Sequence, residues 1–198
     1  MPIIGAMCRD HRRSIRLKGY DYTQPGAYFV TICTYDRRCL FGRIVDGAMR
    51  LNLFGKIVRD EWFKTSQVRQ NVVLYPHEFV VMPNHIHGII RIVDNIVGAQ
   101  RRCAPTCRIN VTPGSLGAIV RAFKSATTRR INQIRNTLGQ PVWQRDYYEH
   151  IIRNEDELNR IRGYIVDNPL RWHLDRENPE RVGEDEFDRW LDNLRGKT

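Results

Sequence analysis

The spacing of apolar and polar positions changes several times along the chain, and each change marks an element. Residues 27–35 (AYFVTICTY) are aromatic and β-branched and predict a strand. Residues 43–51 contain Asp46-Gly47, a tight-turn dipeptide, and predict a small hairpin. Asn52 can cap a helix reaching about Gln67, with Leu53, Ile57, Val58 and Trp62 at helical spacing. Two apolar runs, 72–82 and 86–93, meet at Pro83-Asn84 and predict two strands joined by a turn. Residues 94–115 have no period and predict a long mobile loop. A helix is expected over 116–137, with Ile119, Val120, Phe123 and Ile134 on its core side. Residues 142–152 contain a further strand (YYEHII). Asn154 then caps a helix with Glu157 three positions on, and Pro169 should end that helix near Asn168. A last stretch, 184–194, places Phe187, Trp190, Leu191 and Leu194 at amphipathic spacing.

This order predicts an α+β fold: a ferredoxin-like β-α-β-β-α-β unit with an antiparallel sheet, helices on one face, and an added C-terminal helix. Three segments follow: a basic N-terminal arm at 1–25, one domain at 26–175, and an acidic tail with an amphipathic helix at 176–198.

Composition narrows the function. With 198 residues and 41% apolar side chains the chain can bury a core, which argues against global disorder. No run approaches the roughly 18 apolar residues of a membrane span, and no signal-peptide core follows Met1, so a cytoplasmic protein without membrane contact is expected. The net charge of +10 favours polyanionic partners. That charge is uneven, with nine basic and two acidic side chains at 101–150 but nine and twelve at 151–198. Most of the basic residues are arginines, which suit phosphates, although codon bias gives the same excess. The five cysteines predict no disulfide framework, and Cys103 with Cys107 is only a weak candidate for zinc.

Three constellations could carry chemistry. His85 and His87 share one face of a strand and could bind a metal together, or be two ordinary half-buried histidines. Tyr164 and Asn168 share one side of a helix, with Asp167 near; the plain alternative is a boundary tyrosine. Arg121, Lys124, Arg129 and Arg130 with Trp143 could hold phosphates and stack a base, or be a solvated helix face and a core tryptophan. Arg12, Arg13, Arg16 and Lys18 form a second basic group.

Residues 81–87 (VMPNHIH) resemble the MPNHxH signature of the single-tyrosine HUH transposases, and residues 164–169 (YIVDNP) resemble that family's YxxxNP nucleophile helix. The segments VWQRDYYEHIIR, FKS and YDYTQPGAYFVT are also similar to the family, and the resemblance spans roughly residues 12–173. Within the family it is nearest to the REP-associated tyrosine transposases. The resemblance makes residues 26–175 the transposase domain and the added helix the nucleophile helix. It implies that His85, His87 and Asn168 bind Mg²⁺ or Mn²⁺, with Asp167 a rival for Asn168, and that Tyr164 attacks a phosphate of single-stranded DNA at or near a hairpin. A 5′-phosphotyrosine intermediate and a free 3′-OH would result. Arg12, Arg13, Arg16, Lys18, Arg121, Lys124, Arg129, Arg130 and Trp143 would bind DNA. The protein would be a monomer or homodimer, cytoplasmic and nucleoid-associated when on DNA. An idle hairpin-binding protein of the same fold and a metal phosphoesterase using water are the alternatives. The acidic tail is either a packed last helix or a segment that lies over the basic DNA groove and restrains activity.

Overall fold

The computed structural model describes Leu17, residues 19–94 and residues 112–195. The strands are β1 (Gly26–Cys33), β2 (Gly42–Val45), β3 (Ala48–Leu51), β4 (Val72–Val73), β5 (Phe79–Val81), β6 (His85–Ile92) and β7 (Tyr148–Ile152). The helices are α1 (Leu53–Val68), α2 (Leu116–Ile134), α3 (Glu155–Asp167) and α4 (Glu186–Arg195). No described helix is long and apolar enough to cross a membrane.

Local chemistry sets the element ends. The carboxamide of Asn52 accepts from Gly55 N–H, Ser115 Oγ from Ala118 N–H, and Asn154 Oδ1 from Glu157 N–H, so α1, α2 and α3 each start on a side-chain cap. Glu157 in turn accepts from Arg153 N–H, one residue before the position a standard capping box would use. Asp46 and Gly47 both take positive φ, as a two-residue hairpin turn requires. The run at 72–82 is not one strand. Pro76 starts a short 3₁₀ turn (Pro76–Glu78) that divides it into β4 and β5.

Both pieces pair with β6, β6 pairs with β1, and β1 with β7, all antiparallel. The sheet buries both faces. Tyr28, Val30, Ile32, Ile86 and Ile90 point to one side, where they pack with Ile57, Val58 and Trp62 of α1 and Ile119, Val120 and Phe123 of α2. Gly88 belongs to this face, where a Cβ would stand 2.4 Å from the Trp62 ring. Phe29 and Ile89 point to the other side and meet Leu158, Ile161 and Ile165 of α3 with Phe187 and Leu191 of α4. Ile134, expected in the core, is 48% exposed at the last residue of α2.

The expected basic arm (Arg12, Arg13, Arg16, Lys18), Cys103, Cys107 and nearly all of the expected loop lie outside the described residues. The acidic tail packs as a helix on the α3 side of the sheet, opposite the face that carries α2.

Candidate active site

Strand alternation brings the first two residues together. His85 pairs with Cys33 and His87 with Thr31, so both imidazoles rise on the α3 face of the sheet. Their Nε2 atoms stand 2.9 Å apart and both rings are buried.

The partners of the other ring nitrogens settle which atoms are free to bind. Asn84 Nδ2 donates to the carbonyls of Arg37 and Glu177, so Asn84 Oδ1 faces His85 and can only accept. His85 Nδ1–H therefore donates to it, and His85 Nε2 carries a lone pair. His87 Nδ1 lies 2.8 Å from Thr31 Oγ1, a group that can donate or accept. His87 can thus present either a proton or a lone pair to His85. With both lone pairs inward, two nitrogens at 2.9 Å repel unless a cation lies between them. Ligands about 2.1 Å from an octahedral ion, at right angles, are about 3 Å apart, so the pair fits such an ion. Burial depresses His85 to about 4, with Asp175 and Glu177 opposing that shift, so this ring is neutral near pH 7.

Asp175 completes the cluster and was not anticipated from the sequence. Its Oδ2 lies 3.6 Å from His85 Nε2 and 3.7 Å from His87 Nε2, and the three residues form a buried group able to hold a metal ion. Burial alone would raise the Asp175 carboxyl. The neighbouring His85 and His87 and a hydrogen bond from Asn168 outweigh this and hold it below the carboxylate range. Asp175 follows a 3₁₀ turn (Trp172–Leu174) in a stretch without period, and its Oδ1 accepts from Glu177 N–H.

Tyr164 joins from α3. Its hydroxyl is 3.3 Å from His87 Nε2 and 3.5 Å from Asp175 Oδ2. It is 5% exposed, not a boundary residue, because Phe187 of α4 stacks on its ring. Burial raises its pKa well above the usual tyrosine value, and Asp175, Asp188 and Asp185 add to the rise. Asn168, one turn on, donates from Nδ2 to Asp175 Oδ2 at 2.9 Å, while its buried Oδ1 has no partner among the described residues. Asp167 is exposed on the outer side of α3, away from the histidines. Phe187, Asp188 and Leu191 of α4 cover the cluster with Arg176, whose guanidinium pairs with Asp188 and Asp192. The space left under this cover is about 10 Å³, room for one water at most.

The expected DNA-contacting residues divide. Trp143 is 6% exposed, donates from its indole N–H to Thr127 Oγ1 and packs on Phe41 and Phe123, so its ring has no face free for a base. The Lys124 ammonium donates to the carbonyls of Gln144, Arg145 and Asp146, and burial lowers its pKa to about 8, so it ties α2 to that segment. Arg130 pairs with Glu61. Arg121 and Arg129 stay exposed, with no ion pair among the described residues.

No protein-family model matches the chain. An uncharacterized Haemophilus influenzae protein is 40% identical over 173 residues, 84% of this chain and 92% of that one. A second H. influenzae protein, a candidate REP-associated tyrosine transposase, is 26% identical over 155 residues, 76% of this chain and 74% of its own. A solved REP-associated tyrosine transposase bound to a REP hairpin shares the fold, with a TM-score of 0.54 and 18% identity over 79% of this chain and 74% of that one. These similarities support a distant relation to the single-tyrosine transposases. In this chain the His pair lies on the central strand β6 and the tyrosine on the helix packed over it.

Proposed function

We propose that the chain is a metal-dependent enzyme that nicks and rejoins single-stranded DNA at or near hairpins, on a ferredoxin-like scaffold, through a 5′-phosphotyrosine on Tyr164. The observation that carries this reading is the meeting of the Tyr164 hydroxyl with the His85–His87 pair inside one chain.

His85, His87 and Asp175 would hold the divalent ion, Mg²⁺ or Mn²⁺, with the Asn168 amide beside them. When bound, such an ion polarises and orients the scissile phosphate. The chain's own residues supply the rest. Thr31 and Asn84 fix the two imidazoles through their Nδ1 atoms. Tyr164 Oη forms a bond to phosphorus, the P–O3′ bond breaks, and the departing 3′ oxygen takes up a proton. The proton that Tyr164 loses balances the one the 3′ oxygen takes up, and an ion held beside the phenol would favour its loss against the burial that raises its pKa. The covalent phosphotyrosine keeps the phosphodiester energy for rejoining, so no nucleotide triphosphate is needed.

Incubation with Mn²⁺ and labelled hairpin DNA bearing unpaired flanks should give a denaturation-resistant protein–DNA adduct, absent in Tyr164→Phe. No adduct across varied hairpins would favour the idle binder. Cleavage that survives Tyr164→Phe and fails in His85→Ala would favour the phosphoesterase.

A further inference from the structure

A groove of about 580 Å³ runs between α2 and residues 138–145. One wall is a single helical face carrying Arg121, Ser125, Thr128 and Arg129. The other wall carries Gln144 and Arg145, with Gln133 at the end. No acidic side chain is among the residues lining it, although Lys124 and three arginines are. Asn132 donates to the Gln140 carbonyl and Lys124 holds the carbonyls of residues 144–146, so the two walls are fixed to each other. By contrast, Arg121, Arg129, Arg145 and the side-chain amides of Gln133 and Gln144 have no hydrogen-bond partner in the described residues.

The groove lies on the α2 side, across the end of the sheet from the catalytic cluster on the α3 side. Trp143 bridges to Thr34, and Gln144 N–H donates to the Cys33 carbonyl. Cys33 in turn pairs with His85. The Gln144 backbone is thus two strand spacings, about 10 Å, from that of His85, across the end of the sheet.

The geometry points to a binding site for an unpaired nucleotide of the DNA strand that adjoins the scissile phosphate. This rests on the reading of the chain as a single-strand DNA enzyme. Arg121 and Arg129 hold its phosphate, and Gln133 and Gln144 meet the edge of its base, each amide offering both donor and acceptor. The groove is concave and of nucleotide size, whereas phosphate binding alone needs only an exposed basic face. It is therefore a reading site separate from the tyrosine.

The test is equilibrium binding in the Tyr164→Phe background, which stops turnover. The probes are a labelled DNA hairpin alone, the same hairpin with a short unpaired extension, and the extended hairpin with single abasic sites. The extension should strengthen binding. Arg121→Ala with Arg129→Ala should remove on the order of tenfold of that gain and flatten the salt dependence by about 0.7 per lost contact, while hairpin-only binding changes little. Gln133→Ala with Gln144→Ala should make one abasic position as good as the normal base. These side chains are on the surface, so the variants should fold, and circular dichroism checks that they do. Equal loss on hairpin and extended probes, or no gain from the extension, overturns the groove while adduct formation in the native enzyme still stands. Failure of every probe to bind overturns the groove and the proposed function together.

Discussion

The Phe187 ring lies flat on the Tyr164 ring, centroids 3.8 Å apart and planes 10° from parallel. The proposed nucleophile is thus shielded by the acidic last helix, which covers the tyrosine and not the basic face of α2. A DNA phosphate reaches Tyr164 only when α4 moves aside, so the intact chain should form the adduct more slowly than a chain without α4. Truncation after Pro179, or Phe187→Ala, should raise nicking and DNA binding several-fold in a single-turnover assay. Both should also lower the melting temperature, because Phe187 and Leu191 are buried, and a buried Phe→Ala costs about 3–5 kcal/mol. Unchanged activity in a folded truncation would show that α4 is only a packing element.

Thr31→Val keeps the size of the side chain that holds His87 Nδ1 and removes its hydroxyl. Loss of such a ligand-orienting hydrogen bond costs about 10–100-fold in metal affinity. Calorimetric titration with Mn²⁺ should show this weakening, and His87→Ala should abolish binding. Equal affinity in Thr31→Val and the native protein would mean that the ion does not use His87.

Asp175 and Asn168 can be separated as ligands. Asp175→Asn should weaken Mn²⁺ binding more than Asn168→Ala does, because the carboxylate faces both histidines while the amide nitrogen faces the carboxylate. The reverse order, read from the same titration, would assign the ligand role to Asn168.

Glu78 is fully buried, and its carboxylate accepts from Arg91 of β6 and Arg162 of α3, which ties the tyrosine helix to the sheet. Burial alone would raise its pKa, but the two guanidiniums outweigh that and lower it. A depressed carboxyl stabilises the fold above its unfolded pKa, and that contribution is lost as pH falls through the folded value. Melting temperature should therefore drop on acidification below the ordinary carboxylate range. Glu78→Gln should flatten this acid limb and cost about 3 kcal/mol at neutral pH, since it leaves Arg91 without its charge partner and Arg162 with only the exposed Glu155. An unaltered acid limb would count against this role.

Much of the scaffold was legible because it is set by short-range rules. The Asp46-Gly47 hairpin and the Asn52 and Asn154 caps are decided by a few adjacent residues, and each stands where the pattern put it. The His pair was legible for the same reason, since strand alternation alone puts residues 85 and 87 on one face. Asp175 was not legible, because its place depends on a turn after α3 with no period to announce it. For Trp143 and Lys124, expected to contact DNA, the partners inside the fold were not legible, because residue type does not reveal a partner. Thr127 takes the indole and three carbonyls take the ammonium, both across distances that only the fold closes.

The His pair and Tyr164 are joined by packing of α3 on β1 and β6 within one chain. Dilution therefore cannot take this arrangement apart. Nicking by a site built this way should be first order in protein down to the lowest concentrations at which DNA is bound, with no lag for subunits to find each other.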